Sequence, residues 1–101
     1  MKRDFIIRIH ADNNFSILNR IINVLNRRRV RIKKLYAHED EHDFRKGGAD
    51  LLVHTTPEMV EKVKQQLEKL IEVEEARYFP VHAWHVDIFN RQTEHHTASV
   101  G

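Results

Sequence analysis

FIIRIHADNNFSILNRIINVLNRRRVRIKKL, residues 5–35, changes its apolar period twice, and those changes decide the fold. Over residues 4–10, Phe5, Ile7 and Ile9 alternate against Arg8 and His10, the period-two pattern of a strand with one buried face. Asp12, Asn13 and Asn14 then supply candidate helix caps. Ile17, Leu18, Ile21, Ile22 and Leu25 recur on one face of a helix, with Arg20, Asn23 and Arg27 elsewhere. From residue 30 the period returns to two: Val30 and Ile32 alternate with Arg31 and Lys33, which predicts a second strand over 30–38 with a basic outer face.

The rest of the chain repeats this grammar. The polar stretch 39–48 ends in Gly47-Gly48 and reads as a hairpin connection into a third strand, ADLLVHT, residues 49–55. Thr56 is placed to cap a second helix and Pro57 to occupy its first turn; Met59, Val60, Val63, Leu67, Leu70 and Ile71 form its expected buried side. VEEARYF, residues 73–79, is a short fourth strand. Each helix has a single apolar stripe, so both must cover one face of a four-stranded antiparallel sheet. The order βαββαβ predicts an α+β, ferredoxin-like sandwich. The domain is expected over 1–79, with 80–101 as a C-terminal arm in which VHAWHVDIFN forms a fifth strand or packs as an arm and RQTEHHTASVG frays.

Composition bounds the function. The 101 residues are 41% hydrophobic and 32% charged, with three Gly and two Pro, which fits one globular domain and excludes collagenous, low-complexity and wholly disordered classes. No window approaches the roughly 20 apolar residues that span a bilayer, and the N-terminus lacks a signal core, so a cytoplasmic location is expected. The absence of cysteine excludes disulfides, thiolate metal sites and Cys nucleophiles. A net charge of +2 hides an asymmetry: residues 1–36 carry ten Lys/Arg against two Asp, and residues 37–78 carry six against eleven acids. Halves of opposite sign attract each other within a fold, across a dimer or toward a partner.

Motifs for chemistry are sparse. There is no GxSxG elbow and no Gly-rich phosphate loop, and the acids of the second helix alternate with lysines as on a solvated face, so an enzyme is not expected. His82 and His85, or His95 and His96, lack further ligands at fixed spacing, and HEDEHD, residues 38–43, reads as a charged hairpin tip; no metal is expected. The basic run RRRVRIKK, residues 27–34, lacks the aromatic pattern of an RNA-binding sheet and reads first as helix-end and strand-surface charge. At Asn13-Asn14-Phe15-Ser16, a helix N-terminus offers N–H groups to a carboxylate, beside asparagines able to hold an ammonium or amide.

Across residues 3–78 these pieces resemble the ACT domain of the small regulatory subunit of acetolactate synthase (acetohydroxyacid synthase). The likeness is carried by IL-NR-I in the first helix, Arg27-Arg28 before the second strand, and QQLEKLIEV in the second helix. The resemblance implies a homodimer joined through sheet edges, with no cofactor of its own. It also implies a catalytic-subunit partner that the chain activates, and feedback by valine or another branched-chain amino acid. It places the effector site at Asn13, Asn14, Phe15, Ser16 and Ile17, with Arg31 at a second-strand position facing the pocket across the dimer. The turn that the family writes N-x-P-G has neither its Pro nor its Gly here, and the glycine that usually ends the first helix is Arg29. The other roles weighed are a stand-alone ACT-type sensor of a small molecule or metal, and an RNA-binding ferredoxin-like module.

Overall fold

The computed structural model describes residues 1–14 and 16–81. Strand β1 (Arg3–Asp12) leads to helix α1 (Ile17–Arg27); β2 (Arg31–Glu39) and β3 (Lys46–Thr55) form a hairpin; helix α2 (Pro57–Glu68) and β4 (Val73–Pro80) complete the order βαββαβ. The sheet runs β2-β3-β1-β4 with every neighbouring pair antiparallel. This is the predicted ferredoxin-like architecture, with β1 and β3 central and β2 and β4 at the edges.

The buried face follows from the alternation. Phe5, Ile7, Ile9 and Ala11 of β1 and Ala49, Leu51 and Val53 of β3 stand on one side of the sheet, where Ile17, Ile21 and Leu25 of α1 and Val60, Val63 and Leu67 of α2 close over them. Each fully buried aliphatic side chain contributes about 1.5–3 kcal/mol relative to leaving it in water. Among the described residues no helix is long and apolar enough to cross a membrane.

Both helix termini are built from local chemistry. Thr56 caps α2 as expected, its Oγ1 accepting from the Met59 N–H at 3.1 Å, with Pro57 in the first turn. Helix α1 ends with the Val30 N–H donating to the Leu25 carbonyl and the Arg29 N–H to the Asn26 carbonyl, each at 3.0 Å. That pair of bonds is a Schellman closure, and it drives Arg29 to φ 54°, the left-handed conformation that glycine adopts at least cost.

Three expectations need correction. Ile71 is not on the buried side of α2: the helix stops at Glu68, the chain turns, and Ile71 is 96% exposed. Gly47 and Gly48 are not turn residues but part of β3, paired with Ala11 and His10 on one side and Glu39 and His38 on the other. They are needed because a Cβ on Gly48 would lie 2.2 Å from the Ile9 carbonyl oxygen, and one on Gly47 would lie 2.6 Å from that of His38. Finally, the α1 cap position is Ser16, which makes no side-chain cap; Asn14 instead closes an Asx turn, its Oδ1 accepting from the Ser16 N–H and hydroxyl, both at 3.1 Å. The expected fifth strand lies outside the described residues.

Candidate functional site

Small side chains in two strands leave a gap beneath α1. Ala11 near the end of β1 and Ala37 on β2 face a helix whose Ile17, Leu18 and Ile21 do not reach far enough to fill the space, and a cavity of about 440 Å³ results. Its rim is polar: Asp12 and Asn13 where β1 leaves the sheet, and Tyr36, His38 and Glu39 on the edge strand. No Lys or Arg is among these lining residues. An apolar floor under an acidic rim suits a ligand with an aliphatic body and an ammonium group.

The rim is braced. Asn13 donates from Nδ2 to Glu39 Oε2 at 3.0 Å and to the Phe44 carbonyl at 2.8 Å, while its backbone N–H donates to the Arg45 carbonyl at 2.7 Å. The turn before α1 is thereby tied to the β2–β3 hairpin across the cavity mouth. Lys46 Nζ donates to Asp12 Oδ1 at 2.8 Å and also pairs with Glu74, and these two carboxylates, Asp12 foremost, hold its ammonium well above the usual lysine range. At the start of α1 the first-turn N–H groups have no side-chain cap and no acidic residue beside them. The Ile17 N–H donates to the Asn14 carbonyl at 3.4 Å, and the next N–H groups of the turn are the donors that a ligand carboxylate entering here would meet.

The structure separates the residues anticipated from sequence. Asn13 and Ile17 line the cavity. Asn14 and Ser16 lie next to it, bonded to one another; Ser16 has φ −96° and ψ −11°, open to any L-residue, so the absent turn glycine imposes no strain here. Phe15 lies outside the described residues. Arg31 is at the other end of the molecule: it pairs with His54, eight positions along β3 from Lys46, about 27 Å of strand. There it borders a second hollow of about 390 Å³ with Arg3, Lys33 and His54. In its centre the Asp4 carboxylate accepts from Lys33 Nζ at 2.8 Å and lies 2.7 Å from His54 Nδ1. The Lys33 hydrogen bond foremost holds Asp4 below the usual carboxylate range; burial opposes it, and the His54 hydrogen bond adds to the lowering.

Leu18, Ile21, Ala37, His38 and Glu39 were not anticipated as site residues. The first two read as core, and the others as strand and hairpin. The legible signal was the pair of alanines, Ala11 and Ala37, at strand positions opposite a helix of long aliphatics. Among the described residues no group of three His, Asp or Glu is placed to hold a metal ion. His82, His85, His95 and His96 lie outside them.

A family model for the ACT domain matches residues 13–76, more than half of the chain and including both helices. The chain belongs to the ACT domain family. ACT domains are typically regulatory, non-catalytic modules. No curated protein matches the chain. Among solved structures, the ACT domain from GTP pyrophosphokinase of Chlorobium tepidum is 14% identical with a TM-score of 0.67, over 78% of this chain and 100% of that one. The acetolactate synthase small subunit from Thermotoga maritima is 20% identical with a TM-score of 0.65, over 80% of this chain and 48% of that one. A homoserine dehydrogenase from Thiobacillus denitrificans is 18% identical with a TM-score of 0.65, over 81% and 18%. These likenesses are of fold. This ACT domain spans about half the length of the Thermotoga small subunit.

Proposed function

We propose that this ACT domain is a regulatory subunit that senses a small aliphatic amino acid of the branched-chain class and acts on a separate catalytic subunit, that of acetolactate synthase. The observation that carries the proposal is the cavity under α1, with its aliphatic floor, its acidic rim for an ammonium, and the uncapped helix start for a carboxylate. The choice of enzyme rests on the sequence motifs of α1 and α2, supported by the shared fold of the Thermotoga small subunit.

A second copy of the chain would complete the site. The cavity opens onto β2, an edge strand nine residues long on which Leu35 is 40% exposed and Ala37 is exposed. A long uncovered edge is a template for pairing with another chain. An antiparallel β2–β2 pairing with its two-fold axis near Leu35 would lay the Arg31 end of one copy along the Glu39 end of the other and wall the cavity mouth, while the bulge between Ile32 and Lys34 keeps the Arg31 side chain on the helix-free face, away from the rim. For regulation the effector must bind one state of the complex more tightly than the other, since equal affinity shifts nothing.

The test is acetolactate production by the catalytic subunit from the same source, with and without this protein, across titrations of valine, leucine and isoleucine. Stimulation reversed by one of them is expected, with thermal stabilisation of this chain alone by the same amino acid, about 2.7 kcal/mol at a hundredfold excess over Kd. Stabilisation without any effect on the synthase would reassign the chain as a stand-alone sensor. Neither effect would refute the effector site.

A further inference from the structure

The unpaired guanidiniums of the molecule are gathered at one end. Of the nine arginines among the described residues, Arg8, Arg20, Arg45 and Arg77 pair with Asp50, Glu72, Asp43 and Glu75. The five that pair with no described carboxylate, Arg3, Arg27, Arg28, Arg29 and Arg31, all stand where α1 ends and where β1 and β2 begin. The register brings them together: Arg3 lies opposite Thr55 and Arg31 opposite His54, while α1 runs into β2 through the closure at Val30. Arg3, Arg27, Arg29 and Arg31 are exposed. The carboxylate in their midst, Asp4, is taken by Lys33 and His54. At the cavity end the imbalance is reversed: Arg20, Arg45 and Lys46 are each paired, whereas Glu39, Asp40 and Glu41 pair with no described Lys or Arg.

The helix dipole does not account for the cluster, because its pull is confined to the last turn of α1, which Arg27 occupies. Arg29 stands past the helix at φ 54°, where glycine would cost less, and strain of this kind gathers at positions whose side chain is used. Neighbouring guanidiniums without counter-charge repel one another, and a partner that supplies anions removes that cost. The planar guanidinium fork pairs with carboxylate or phosphate through two parallel bonds. Carboxylate suits this surface better. The Phe5 ring beside Arg3 is buried in the core and the Phe79 ring is faced by Arg8, so neither is open for a base to stack on. A nucleic-acid strand running on along the molecule would also meet the acidic cavity end.

We propose that this arginine end is the surface that docks on the catalytic subunit, and that its counterpart there is a patch of Asp and Glu side chains. The proposal rests on the reading of the chain as a regulatory subunit. It separates two tasks in space: docking surface and effector cavity lie at opposite ends of β3, about 27 Å apart, so both are occupied at once, as coupling between two sites requires.

The test is the Kd of the full-length chain for the catalytic subunit of acetolactate synthase from the same source, at about 0.05 M and about 0.5 M salt. Arg27→Gln with Arg31→Thr is expected to weaken binding about tenfold or more at the lower salt and much less at the higher. Lys62→Gln with Lys69→Gln, which removes two exposed charges from the region of α2, should leave it within about twofold. Should the double arginine variant fail to fold, Arg29→Gly is read instead: it removes one charge while relieving backbone strain, so weaker binding must accompany a higher denaturation midpoint. Equal binding by the parent and the arginine variants overturns the docking surface and leaves the subunit reading standing. A parent that forms no complex refutes the subunit reading and this surface with it. If a labelled oligouridylate titrated in parallel binds the parent more tightly than the catalytic subunit does, and is lost in the arginine variants, the occupant is nucleic acid and the proposal is overturned.

Discussion

Replacing Gly48 by alanine distinguishes a glycine needed for a turn from one needed for close approach of two backbones. Gly48 sits in β3 between His10 of β1 and His38 of β2, and neither Gly47 nor Gly48 has a positive φ. A Cβ there would stand 2.2 Å from the Ile9 carbonyl oxygen, about 1.2 Å inside the 3.4 Å at which ordinary contact begins. It would also lie 3.3 Å from His38 Cε1, but that ring can rotate away, whereas a ladder carbonyl cannot. Moving β3 outward by about 1 Å stretches the neighbouring β1–β3 hydrogen bonds beyond useful length. Two such bonds at about 1 kcal/mol each, with about 1–3 kcal/mol of overpacking, give a loss of about 3–5 kcal/mol. That is a large part of the roughly 5–15 kcal/mol typical of a domain. In urea, with m of about 1–1.5 kcal/mol/M for a chain of this size, the midpoint should fall by about 2 M or more, or the native baseline should vanish. His10→Ala, in the same row but exposed, is the control and should change stability by no more than about 0.5 kcal/mol. If Gly48→Ala is no costlier than the control, the close-approach reasoning is wrong.

Two further substitutions test other parts of the fold. Arg29→Gly should stabilise the protein by about 0.5–1 kcal/mol, because the left-handed strain of about 1–2 kcal/mol is relieved and only part is offset by added chain entropy; a lower denaturation midpoint would contradict the Schellman reading. Asp4 is held below its unfolded pKa, so its contribution is fully present above about pH 4 and disappears as pH falls through the lower folded value. Asp4→Asn should therefore be less stable than the parent at pH 7, with the gap closing in acid titrations toward pH 2; an equal gap at both ends would mean that the carboxylate is not held by Lys33 and His54.

Periodicity alone determined the order of elements and most of the core. Alternation in Phe5, Ile7 and Ile9, and helical spacing in Ile17, Ile21, Leu25, Val60, Val63 and Leu67, are local properties, and each element needed a single covering partner, so the layers followed. The Thr56-Pro57 start of α2 was legible for the same reason, since capping involves only adjacent residues. Tertiary structure decided what depends on two distant backbones meeting. Gly47-Gly48 carries the same letters in a turn or a tight ladder, and only the closeness of the Ile9 and His38 carbonyls shows which it is. Ile71 continued the apolar stripe on paper, but α2 had already ended. Asn13 was singled out for a helix N-terminus, and the fold turned its amide toward Glu39 and the hairpin instead. The cavity belongs to no segment, because it arises where Ala11 and Ala37, 26 residues apart in sequence, come to stand under one helix. The burial of Ile6 and Leu52, paired across β1 and β3 on the helix-free face, was hidden for a related reason: a strand buried on both faces loses its alternation.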